Sequence, residues 1–240
     1  MSSFLELCQE YVNEVGITDS EPTAVTGQVP RIQRAIRDIQ QADLAVQRLY
    51  HDWNFLHTQF STNTIIGTAA YSAPSDLGVW DNTSFWLNYS LSTHSQLIIK
   101  DYKSWRNSYG PGVQTNALPG FVIVKPDKSL VLSSPPDAVY ALTADYWKNP
   151  VKMTANTDTS QIPVKFERII ILRAKLFYAA QEDAPEIRQD TLAEYQDLLS
   201  QLTSAELPGQ QNRMMSEGEA ESVGTHDDGY RFGNYFEGNY

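Results

Sequence analysis

Hydrophobic residues recur every three or four positions near both ends of the chain and at alternate positions in its middle. The first periodic stretch predicts a helix over residues 4–15, with Leu5, Cys8, Tyr11, Val12 and Val15 on one face. Ser3 and Glu6 have capping-box spacing, in which each side chain bonds a backbone N–H of the first turn. Gly16 is a natural stop. After a loop over residues 18–27, a second pattern places Ile32, Ile36, Ile39, Val46, Leu49 and Trp53 on one helical face, with Pro30 in the first turn. The opposite face carries Arg31, Arg34, Arg37, Gln40, Gln41 and Arg48.

Residues 60–147 have a different rhythm: short apolar runs broken by Gly, Pro, Asn and Ser. Residues 96–100, 121–125, 129–133 and 140–147 read as strands, with Pro126-Asp127-Lys128 as the turn between two of them. Tyr140, Leu142, Ala144 and Tyr146 alternate with Ala141, Thr143, Asp145 and Trp147, which gives one strand two distinct faces. Helical spacing returns after Pro163. Residues 166–181 are apolar on most sides, as in a helix at the centre of a bundle or a subunit contact. A break at residues 182–185 precedes a final amphipathic helix marked by Leu192, Tyr195, Leu198, Leu199 and Leu202. The expected fold is therefore α+β. Residues 1–58 and 156–206 form one helical bundle, and residues 59–155 form a small antiparallel β lobe inserted between its halves.

Residues 207–240 carry neither period. They hold six Gly and five acidic residues in their middle, then end on a run with Tyr230, Phe232, Tyr235, Phe236 and Tyr240. This composition predicts a flexible tether with an aromatic docking end.

Charge and chemistry narrow the function. The chain has 29 acidic and 18 basic residues, a net charge of −11, which disfavours a role in gripping nucleic acid. The single cysteine, Cys8, lies on an apolar stripe and excludes both an intramolecular disulfide and a multi-cysteine metal site. No run approaches the roughly 18 apolar residues of a membrane span. Four histidines occur; His51 and His57 lie six apart, which is not the spacing of a helical metal pair. No nucleophile elbow, Walker loop or dinucleotide fingerprint follows a strand. Glu182, Asp183 and Glu186 read as charge complementing a helix N-terminus, not as paired catalytic carboxylates. The aromatic set Trp80, Trp86, Tyr89, Tyr102, Trp105 and Tyr109 has two readings: lobe core and subunit contacts, or a stacking platform for sugar rings. No enzyme, cofactor or metal is expected.

A set of ordered segments then resembles the head-to-tail adaptor, or connector, proteins of tailed bacteriophages. Phe4 to Glu10 is followed by Val25-Thr26-Gly27-Gln28, and a long helix closes on His51-Asp52-Trp53-Asn54-Phe55. Further on come Tyr102 to Arg106, Pro126 to Leu130, Pro135 to Tyr140, Ala144 to Pro150 and Ile162 to Phe166. The likeness covers about residues 4–206 and rests on order and spacing together, not on one motif. It implies a homo-oligomeric ring, of twelve copies, beneath the portal at the capsid vertex. It also implies a lower face for tail or nozzle proteins and a central channel through which DNA passes without sequence-specific binding. The location implied is the neck of a virion assembled in the host cytoplasm, and the aromatic tail end then becomes a portal-docking peptide. A glycan-binding tail or surface component using the Trp-rich lobe is the alternative.

Overall fold

The computed structural model describes residues 1–17, 21–90, 93–109, 112 and 114–207, and the architecture is mixed α+β. Helix α1 (Phe4–Val15) is capped as expected. Ser3 Oγ accepts from the Glu6 N–H at 3.3 Å and the Glu6 carboxylate accepts from the Ser3 N–H at 2.8 Å. Gly16 stops the helix at φ 71°, a left-handed conformation that favours glycine. The buried face is Phe4, Leu7, Cys8, Tyr11 and Val12; Leu5 and Val15 lie at its partly buried margin. A backbone hydrogen bond from Phe4 to the Asp158 carbonyl and three bonds from Ser2 to the buried Glu167 carboxylate tie this end to the far half of the chain.

Helix α2 (Pro30–Gln47) is shorter than the periodicity suggests. It ends at Arg48, so Leu49 falls off the apolar face and is 45% exposed, while Trp53 reaches the core from extended backbone. After a 3-10 turn at Val164–Phe166 come α4 (Arg168–Gln181) and α5 (Pro185–Glu206), separated by a kink where Asp183 adopts φ 51°. α5 begins about two turns earlier than the leucine pattern marks, because Pro185 occupies its first turn. Residues of α1, α2, α4 and α5 share one apolar core, whose members include Tyr11, Ile32, Ile39, Trp53, Ile169 and Leu202. Each buried Ile or Leu there contributes about 2 kcal/mol of transfer free energy.

The middle of the chain builds two sheets around a second core. One contains β1 (His57–Asn63), β3 (Leu77–Trp80), β4 (Trp86–Ser90), β5 (Thr93–Gln96) and β9 (Ala141–Lys148), with β9 central: β1 pairs along one edge, β3 and β4 along the other. The second runs β2 (Ala70–Tyr71), β8 (Leu130–Leu132), β7 (Phe121–Val124), β6 (Ile98–Lys100). The period-two expectation for β9 is met: Leu142, Ala144 and Tyr146 are buried.

Two expectations for the lobe need correction. Residues 96–100 are not one strand. The chain crosses between the sheets at Leu97, whose side chain is buried and whose N–H bonds Phe85. Nor is the lobe wholly antiparallel, since β6 and β7 pair in parallel. A parallel pair needs a long crossover, and here that connection contains a helix, α3 (Tyr102–Tyr109), where the sequence suggested none.

Candidate interaction surfaces

No constellation of catalytic type is assembled among the described residues. None of their His, Cys, Asp and Glu side chains form a group of three or more able to hold a metal ion. His51 and His57 instead set their rings edge-on to Trp147, with centroids 6.4 and 5.5 Å away. Cys8 is fully buried, and burial pushes its thiol pKa up to about 12, so it behaves as an apolar core group. No described helix is long and apolar enough to cross a membrane.

The aromatic set of the lobe divides by position. Trp80 is a core residue, 5% exposed, wedged against Phe60, Phe85 and Tyr146 at 5.5 Å, with its Nε1 donating to the Lys128 carbonyl at 2.9 Å. Lys128 earns this position through the Pro126-Asp127 turn: Asp127 accepts from the Ser129 N–H and hydroxyl, Lys128 takes φ 66°, and its Nζ donates to the Gly78 carbonyl at 2.6 Å. The turn thus bolts the second sheet to the first. Trp86 is exposed, but its ring meets His94 edge-on at 5.3 Å. Tyr102 and Trp105 sit on α3 with centroids 6.2 Å apart. With Trp80 buried in the core and Trp86 exposed on β4, the described members of the set do not form one platform.

The arginine face of α2 is partly spent within the chain. Arg34 reaches Glu182 at 3.3 Å and donates to Gln181, and Arg37 donates to the Gln33 carbonyl. Beside Arg34 lies Asp38, whose carboxyl burial holds above its usual range while Arg34 opposes the shift. Glu182 therefore acts as an ion-pair partner of α2. On α4, Arg168 pairs with Glu10, Glu14 and Glu194, and Lys175 with Glu14, which joins α1, α4 and α5 at the surface.

One polar node is internal. Asp43 on α2 is fully buried, accepts from the Ser160 hydroxyl at 2.5 Å and from Gln47 Nε2 at 2.8 Å, and has no cation beside it among the described residues. Ser160 in turn accepts from the Ile162 N–H. Sequence reasoning missed this node, because Asp43 and Gln47 sit one turn apart on the helix's apolar side with nothing in the pattern to mark them.

Where α2 ends and the lobe begins there is a cleft of about 190 Å³, lined by Gln47, Arg48, His51, Val79, Lys148 and Pro150 among others. The docking residues expected from the sequence, Tyr230, Phe232, Tyr235, Phe236 and Tyr240, lie outside the described residues.

The described residues thus build two apolar cores, a lobe whose two sheets are joined at the Lys128 turn, and surface ion pairs that tie the helices together. The particular family follows from comparison. The SU10 adaptor protein family matches residues 2–218, nearly the whole chain, and the chain belongs to it. The protein is thus a structural adaptor of a bacteriophage virion, a family that is not an enzyme class. No curated protein matches the chain.

Proposed function

We propose that the protein multiplies into a ring of twelve copies beneath the portal, extends the DNA channel and connects the capsid to tail or nozzle proteins. The observation that carries this reading is the adaptor-family match over residues 2–218. Several physical features support it. A net charge of −11 suits a channel wall along which DNA slides without sequence-specific binding. The helical part, residues 1–58 and 156–206, serves as the body of the ring, and residues 59–155 as a lobe for neighbours and tail parts. Residues 207–240 end on Tyr230, Phe232, Tyr235, Phe236 and Tyr240, spaced so that alternate aromatics fill pockets on the portal. The protein is made in the host cytoplasm and works in the neck of the virion.

The test is genetic and biochemical. Particles made without this gene should accumulate as DNA-filled heads lacking tails, and adding the purified full-length protein should restore tail joining. Tailed, infectious particles formed in its absence would overturn the reading.

A further inference from the structure

We propose that one copy of this chain docks head to tail on the next, seating the start of α5 on the cleft at the end of α2. The proposal rests on the ring reading above and names the surfaces that would make it.

The cleft at the end of α2 offers an apolar and basic rim. The rim is apolar: Tyr50 and Val79 are each 43% exposed, and Leu49 and Val151 beside them are more so. It is also basic. Arg48 has no ion pair among the described residues, and the nearest carboxylate to Lys148 is Asp76 at 4.0 Å. In a chain of net charge −11 this is a local exception, and an acidic partner would be drawn to it.

The start of α5 offers the complement. Ile187 is 38% exposed, and Asp190 and Glu194 follow at positions i+3 and i+7, on the same side of the helix. Glu186 and Asp190 have no ion-pair partner among the described residues. Glu186 lies in the first turn of this helix, which no side chain caps. Ile187 is the apolar anchor for the cleft, flanked by carboxylates for Arg48 and Lys148.

The two surfaces cannot meet within one chain. Glu182, just before α5, pairs with Arg34, whereas the cleft lies at Gln47, thirteen residues along α2 and hence about 20 Å away. The contact must form between copies. It joins two different patches, and a heterologous contact of that kind closes into a ring when its rotation allows.

A cysteine pair tests this on assembled heads. The Val79→Cys/Ile187→Cys variant, bound to portal-bearing heads and mildly oxidised, should give a ladder of covalent oligomers on a non-reducing gel. Either single variant should give none, because Cys8 is buried. Arg48→Glu/Lys148→Glu should lose occupancy on heads, and adding Glu186→Lys/Asp190→Lys should restore it. Full occupancy of the double-cysteine variant without a ladder, or wild-type occupancy of Arg48→Glu/Lys148→Glu, overturns the contact and leaves the adaptor reading standing. Failure of the wild-type protein to bind heads at all overturns both.

Discussion

The Ser160 hydroxyl donates to the Asp43 carboxylate across 2.5 Å, joining α2 to the strand-to-helix connection 117 residues later in the chain. Burial dominates the electrostatics of this pair. It holds the Asp43 carboxyl above its ordinary value of 3.8, while the hydrogen bonds from Ser160 and Gln47 oppose the shift. A raised native pKa means that the folded state binds the proton more tightly than the unfolded chain, so this group's contribution falls as pH rises from 3.8 upward. Asp43→Asn should therefore flatten the pH dependence of stability over that window relative to wild type, and stay within about 1 kcal/mol of it at pH 7. Asp43→Ala strands two buried polar groups and should cost about 3 kcal/mol in chemical denaturation. Parallel pH curves for wild type and Asp43→Asn would contradict this account.

The lobe should fail through its core before its surface. Trp80→Ala removes a large buried side chain and should cost on the order of 4 kcal/mol; Trp80→Phe loses the bond to the Lys128 carbonyl and should cost about 1 kcal/mol beyond any repacking. Gly78→Ala would place a Cβ 2.8 Å from the Trp147 carbonyl oxygen, at the bulge where β3 meets β9, and should cost about 2 kcal/mol. Trp86→Ala should leave stability within about 1 kcal/mol, and a glycan array should be blank for wild type. Selective glycan binding abolished by Trp86→Ala with folding intact would favour the sugar-binding reading.

Duplex DNA should not shift at moderate salt, because 29 acidic residues outnumber 18 basic ones and Arg34 is already committed to Glu182. Reversing Arg31, Arg34 and Arg37 together should leave a gel-shift assay unchanged. Salt-sensitive binding that disappears in this triple variant would mean that the α2 face outweighs the net charge.

The legible parts of this fold are those where one physical signal acts alone. The capping box of Ser3 and Glu6, the Gly16 stop and the alternation along β9 all follow from local chemistry. Strand β1 was missed because His57 to Asn63 carries a single large apolar residue, Phe60, too few to mark an alternating face; it forms because β9 supplies seven register partners. Helix α3 was missed because its eight residues hold no full apolar face, and the crossover between β6 and β7 explains its place. Leu49 and Trp53 continued the α2 period only by coincidence: the chain had already left the helix. Family membership was readable from ordered segments spread along the chain. The Asp43 node and the cleft were not, since both depend on residues more than seventy positions apart.

Ending the chain after Leu207 should leave the described fold intact, because the described members of both apolar cores lie at or before Leu207. Thermal unfolding of the truncated protein should match full length. Its retention on portal-bearing heads should fall at least tenfold, because each well-buried aromatic anchor is worth about 2 kcal/mol. Wild-type occupancy that survives purification would show that Tyr230, Phe232, Tyr235, Phe236 and Tyr240 are not the anchors.

The central claim is that this chain forms the ring joining portal to tail. An electron-microscopy reconstruction of the particle neck, compared between wild type and particles carrying a bulky tag on this protein, measures it directly. The account predicts a continuous twelve-fold ring directly below the portal, with one tag density per copy and an axial channel wide enough for duplex DNA. Tag density on peripheral fibres, or none in the neck while the protein is present in the particle, would contradict it.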